Sequence, residues 1–108
     1  MSHLTTHVLD ASRGLPAAGI TVRLTDAEGA VVAEESTDAD GRIAAFGPDR
    51  LPTGVYQLTF GTGEYFAGHG VPTFYPSVTI TVAVDAGAAH YHVPLLLSPF
   101  AYSTYRGS

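Results

Sequence analysis

The chain has 108 residues, of which 45% are hydrophobic, so it fits one domain spanning 1–108 that can bury a core without staples. Its net charge is −5 and its only basic residues are five arginines, which excludes the basic stripe that nucleic acid or an anionic membrane would need. The absence of cysteine excludes disulfides and thiol chemistry and suits a reducing compartment.

The opening "MSHLTTHVLD" lacks the charged and apolar regions of a signal peptide. No apolar run nears the roughly 20 residues of a membrane span. The chain therefore reads as soluble and cytoplasmic. Alternation with period two dominates, punctuated by Gly, Pro, Asp and Ser. "LTTHVLD" (4–10) is a first strand, and "ASRGLPAAG" a loop. "ITVRLTDA" (20–27) sets Ile20, Val22 and Leu24 against Thr21, Arg23 and Thr25. A tight turn at 28–29 leads into 30–37, which is a hairpin signature. "DADGR" (38–42) is another turn and "IAAF" a short strand. "VYQLTFGT" (55–62) alternates again. Over 63–70 a short helix is expected, with Thr62 as its cap and Gly70 at its end. "SVTITVAV" (77–84) and the segment 88–96, with Leu97 following, are strands, and 100–106 closes the fold. About eight short strands and one short helix predict an all-β, two-sheet sandwich.

Chemistry concentrates on histidine. His90 and His92 are two apart, so on a strand they share a face. Tyr91, Val93, Leu95 and Leu97 take the opposite face, which has the composition of core. His7 shares a face with Thr5 and Leu9 on the first strand. Three readings stand. The H-x-H pair with His7 suits a metal ion, although no carboxylate is obviously placed to help. A metal-free set of imidazoles could serve as general base and acid near neutral pH. The third reading is polar-face histidines without a role. Arg42, just after a turn, reads alone as a solvated residue, as does Arg106. Pro94 inside a strand demands an outward N-side or a bulge.

Three stretches together resemble the transthyretin-like family: "THVLD" (6–10) with the following "GLPAAG", "TDADGR" (37–42), and "HYHVPLLLSPFAYSTYRGS" (90–108). The terminal "YRGS" resembles the hydrolase branch of that family, which acts on 5-hydroxyisourate, and is absent from the hormone carriers. The resemblance implies a transthyretin-like sandwich assembled as a homotetramer, a dimer of dimers, with sites where the dimers meet. It implies no cofactor and no metal. It assigns catalysis to His7, Arg42, His92 and Ser108, and substrate binding to His7, Arg42 and Tyr105. His90, Arg106 and Gly107 would support them. The tail would fold over the channel mouth, with Gly107 permitting a close turn. The alternative is a small-ligand carrier without catalysis.

Overall fold

The computed structural model describes residues 2–108. The strands are β1 (Leu4–Asp10), β2 (Leu15–Pro16), β3 (Thr21–Thr25), β4 (Val31–Ser36), β5 (Arg42–Ile43), β6 (Gly54–Phe60), β7 (Val78–Val84), β8 (Tyr91–Ser98) and β9 (Ala101–Thr104). One helix, α1 (Thr62–Gly68), lies between β6 and β7. One sheet runs β2-β1-β8-β9, with β5 also paired to β1. The other runs β4-β3-β6-β7. The expected two-sheet sandwich is therefore present.

Alternation builds the core. On β1, Leu4, Thr6, Val8 and Asp10 are buried, whereas Thr5, His7 and Leu9 stand on the outer face. Val93, Leu95 and Leu97 of β8 are buried against Val22 and Leu24 of β3, Leu58 and Phe60 of β6, and Phe46 and Phe66. Each fully buried Leu or Phe contributes about 1.5–3 kcal/mol, which anchors the site-bearing sheet from behind.

Local details differ from the sequence reading in physically instructive ways. The strand expected at 88–96 begins only at Tyr91, because Ala88 N–H closes a turn onto Asp85 O. "IAAF" contributes just Ile43 to β5, and Phe46 drops into the core instead. Leu15 and Pro16 form a short extra strand on β1 that the loop reading passed over. Thr62 is not the helix cap: Gly61 takes that position, and the buried Thr62 hydroxyl donates to Tyr75 O at 3.0 Å. Gly70 does end the helix region, at φ +68 with its N–H on Ala67 O.

Two placements matter most for function. β1 and β8 pair in parallel, with Thr5 opposite His92 and His7 opposite Pro94. β5 pairs antiparallel with β1, setting Arg42 opposite His7. Pro94 fits because the β8–β9 ladder begins at Leu95 and Thr104. Its carbonyl accepts from the Thr104 hydroxyl, and two residues back the His92 carbonyl accepts from Gly107 N–H. Proline thus falls in the gap between those partners, where no ladder bond is lost.

Candidate functional site

Arg42 reaches the sheet through the "DADGR" turn. The Asp38 carboxylate accepts from the backbone N–H groups of Asp40 and Arg42, at 2.9 and 3.0 Å. Gly41 sits at φ +75, and a Cβ there would lie 2.3 Å from Val8 O, so only glycine permits this approach. Gly41 O in turn accepts from Val8 N–H at 2.7 Å. The turn therefore docks on β1 and delivers Arg42 beside His7. The Arg42 side chain is exposed, and its guanidinium forms no hydrogen bond among the described residues. Its donors are available for another molecule.

His7 is oriented by the same turn: its Nε2 lies 2.9 Å from Asp40 O. A carbonyl can only accept, so Nε2 carries the proton, and Nδ1 is the bare nitrogen of the neutral ring. His92 and His90 do not converge on an open point in space. Both turn toward the Thr5 hydroxyl, with His92 Nδ1 at 2.8 Å and His90 Nε2 at 3.0 Å. Burial first, and then the Arg42 guanidinium with the neighbouring His7 and His90 rings, hold the His92 pKa below the ordinary 6.5. His92 is therefore a neutral imidazole at physiological pH. Among the described residues no group of three or more His, Asp or Glu side chains is arranged to hold a metal ion.

The tail completes the cluster. After β9 it continues along β8 in the same antiparallel sense, and Gly107 forms a single bridge to His92. Gly107 does not have a positive φ, so the close-turn role expected for it is not what the structure requires. The requirement is room: a Cβ at Gly107 would lie 2.6 Å from His92 Cδ2 and 3.3 Å from Pro94 Cγ. Arg106 stacks its guanidinium 4.5 Å above the Tyr91 ring and lies 3.5 Å from His90 O, holding the tail down. Ser108 then lines a cavity of about 230 Å³ with Thr5, Arg42, His90 and His92.

Of the residues singled out in the sequence, His7, Arg42, His90, His92, Gly107 and Ser108 therefore share one face of one sheet. Tyr105 does not join them. It is 59% exposed and lines a second cleft, of about 380 Å³, with Ile80, Val82, Tyr91 and Arg106 between the two sheets, and His92 lines both this cleft and the cavity. The remaining histidines are structural. His3 is buried, accepting from Leu51 N–H at Nδ1 and donating to Ala88 O from Nε2, and His69 closes the C-terminus of α1. Thr5 was given no role from sequence, although its position on the His7 face was legible. Only the parallel register with His92 reveals its use.

A two-sheet sandwich that gathers imidazoles, an arginine and its own C-terminus on one outer face matches a known class. A family model described as the HIUase/Transthyretin family covers residues 4–107, and the chain belongs to that family. Among its relatives is the 5-hydroxyisourate hydrolase of Caulobacter vibrioides, 44% identical over 100% of both chains. That of Deinococcus radiodurans is 46% identical over 97% of this chain and 95% of its own length. Among solved structures, the Klebsiella pneumoniae 5-hydroxyisourate hydrolase superimposes with a TM-score of 0.92 at 45% identity, covering 100% of both chains. Transthyretin from Sparus aurata also reaches a TM-score of 0.92, at 30% identity over 99% of this chain and 97% of its own.

Proposed function

We propose that this protein is an enzyme of urate degradation that hydrolyses 5-hydroxyisourate, opening the six-membered ring at a ring amide to give 2-oxo-4-hydroxy-4-carboxy-5-ureidoimidazoline. The observation that carries the reading is the gathering of Arg42, His92 and Ser108 around one cavity, with His7 paired opposite Arg42 on the same sheet face. The full-length relatives named for this hydrolysis support it. A carrier without catalysis would line the same face with apolar groups and would have no use for a tail bridged to His92.

The chemistry follows from the groups present. Water must attack a ring carbonyl, and negative charge then builds on its oxygen. Neutral His92 takes the proton of the water, an effect generally worth about 10²–10⁴-fold. Arg42 cannot act as a base. Its planar fork suits two neighbouring acceptors on an oxidised purine and stabilises the developing oxyanion. The proton that His92 takes up then passes through the Ser108 hydroxyl to the leaving nitrogen, while His7, its Nε2–H held on Asp40 O, binds the substrate beside Arg42 by accepting at Nδ1. No step requires a metal or an organic cofactor.

The chain acts as a single domain in a cytoplasmic homotetramer, a dimer of dimers. The edges of β7 and β9 are unpaired in their sheets, and Phe74, Phe100, Tyr102 and Tyr105 leave large aromatic surface exposed. Unpaired strands beside exposed aromatics favour association of copies. Ser108 acts within its own subunit, whereas Tyr105 meets substrate only in the assembled tetramer. Among the described residues no helix is long and apolar enough to cross a membrane.

The decisive test generates fresh 5-hydroxyisourate from urate and follows its ultraviolet decay. Added protein should accelerate the decay, and a chain lacking residues 105–108 should not, while still folding. Decay at the spontaneous rate with intact protein would end the proposal.

A further inference from the structure

Among the described residues the Thr5 hydroxyl is the one group within hydrogen-bond range of two of the site's imidazoles. It lies 2.8 Å from His92 Nδ1 and 3.0 Å from His90 Nε2. A threonine hydroxyl has a single proton to donate, and each neutral imidazole carries one N–H. The protons along His90–Thr5–His92 are therefore coupled. If Thr5 donates to His92 Nδ1, then Nε2 of His92 holds the proton and cannot accept one. If Thr5 donates to His90 Nε2, its oxygen faces His92 and accepts from Nδ1–H, leaving Nε2 bare.

We propose that Thr5 is a positioning residue: its hydroxyl donates to His90 Nε2, accepts from His92 Nδ1, and so holds His92 in the tautomer whose Nε2 is free to take a proton. One feature favours this arrangement. Arg42 lines the same cavity as His92, and a cation favours the bare, electron-rich nitrogen turned toward it and the N–H turned away. Nδ1 is taken by Thr5, so Nε2 is the nitrogen left for the cavity. When Nε2 gains a proton, the imidazolium still donates from Nδ1 to Thr5, and no side chain has to turn. His90 is then the residue that orients the hydroxyl, which gives the first histidine of H-x-H a role without making it a base.

The backbone already sets this contact. Thr5 and His92 are register partners in the parallel β1–β8 ladder, both on the outer face. Thr5→Val keeps the β-branched shape that a strand favours and removes only the hydroxyl.

The effect on rate rests on the hydrolase reading above; the tautomer does not. In the full chain at neutral pH, heteronuclear NMR of the imidazole nitrogens should find the His92 proton on Nδ1. In Thr5→Val it should redistribute toward Nε2, and His90→Phe should move it the same way. The kcat of Thr5→Val should fall about tenfold or more, as expected for a lost hydrogen bond that selects a protonation state, with KM close to wild type. Thr5→Ser should restore both tautomer and kcat. A wild-type His92 protonated at Nε2, or a Thr5→Val enzyme with unchanged kcat, would overturn the proposal. A wild-type chain that fails to hydrolyse the substrate would instead defeat the functional reading, and the NMR result would still decide the tautomer.

Discussion

Replacing Gly107 by alanine tests whether the tail and His92 form one unit. The added Cβ would lie 2.6 Å from His92 Cδ2, against the 3.4 Å at which ordinary contact begins. About 0.8 Å of movement (3.4 less 2.6) is therefore needed, and two responses can supply it. The imidazole can swing, which stretches its 2.8 Å bond to Thr5 past hydrogen-bond range. Alternatively the tail can lift, which breaks the 2.8 Å bond from Gly107 N–H to His92 O and withdraws Ser108 from the cavity. Either response costs one hydrogen bond, about 0.5–1.5 kcal/mol. For a domain near this size that lowers Tm by about 4–8 °C per kcal/mol. Catalysis is far more sensitive, since a misplacement near 1 Å can cost about 10²-fold. Gly107→Ala should therefore lose about 10–10²-fold in kcat, by ultraviolet decay of fresh 5-hydroxyisourate, while thermal unfolding stays cooperative and shifts by no more than about 12 °C. A variant as fast as wild type would show that neither the His92 ring position nor the tail bridge matters for turnover.

Three further outcomes follow from the same geometry. The pKa of His92 lies below its ordinary 6.5 through burial and the neighbouring cationic groups, so kcat/KM should fall on acidification with a midpoint under that value; a rate flat between about pH 5 and 8 would argue against a histidine base. Arg42→Lys should leave urea stability within about 0.5 kcal/mol, because the guanidinium has no hydrogen bond among the described residues to lose, yet it should cut turnover strongly because a point charge does not replace a fork; equal activity would remove Arg42 from the mechanism. Burial tends to raise the Asp10 pKa, but hydrogen bonds from Ser12, Tyr65 and the Arg13 backbone outweigh it and leave the carboxyl below its ordinary 3.8. Its stabilisation is therefore present above that value and is lost as pH falls through the lower folded one. Tyr65→Phe, which removes the 2.7 Å bond to Asp10, should cost about 1.5–3 kcal/mol in urea unfolding at neutral pH and progressively less within that acid window.

The strands were legible because alternation reports burial directly: Thr5, His7 and Leu9 separate from Leu4, Thr6 and Val8 without any knowledge of the partner strand. Pairing is not local, and the parallel contact between the first strand and the penultimate one leaves no mark on either segment. Thr5 therefore passed as an ordinary polar position until His92 stood beside it. Arg42 looked like a solvated turn residue for the same reason, since nothing within "DADGR" says that Gly41 presses against Val8 O. Gly107 was noticed for backbone freedom, but its necessity comes from a ring fifteen residues upstream in the chain. Tyr105 shows the limit of motif adjacency. It precedes Arg106 and Gly107 in sequence and shares the cleft between the sheets with Arg106 and His92, yet it is not among the residues that line the cavity with Arg42 and Ser108.

The arrangement divides the site into a rigid part and an adjustable one. His7, Thr5 and His92 stand on strands whose inner faces are locked into the core, and Arg42 is clamped by Asp38 and Gly41. Groups held this way lose little further freedom on binding a substrate, which is what catalysis by positioning requires. Ser108 is different, reaching the cavity through one Gly107 bridge and the stacking of Arg106 on Tyr91. The same sandwich can carry a ligand or transform one, because its ladder supplies only rows of positions. The chemistry is decided by which side chains occupy the outer face of β1 and β8, and by whether the chain's last residues return to close over them.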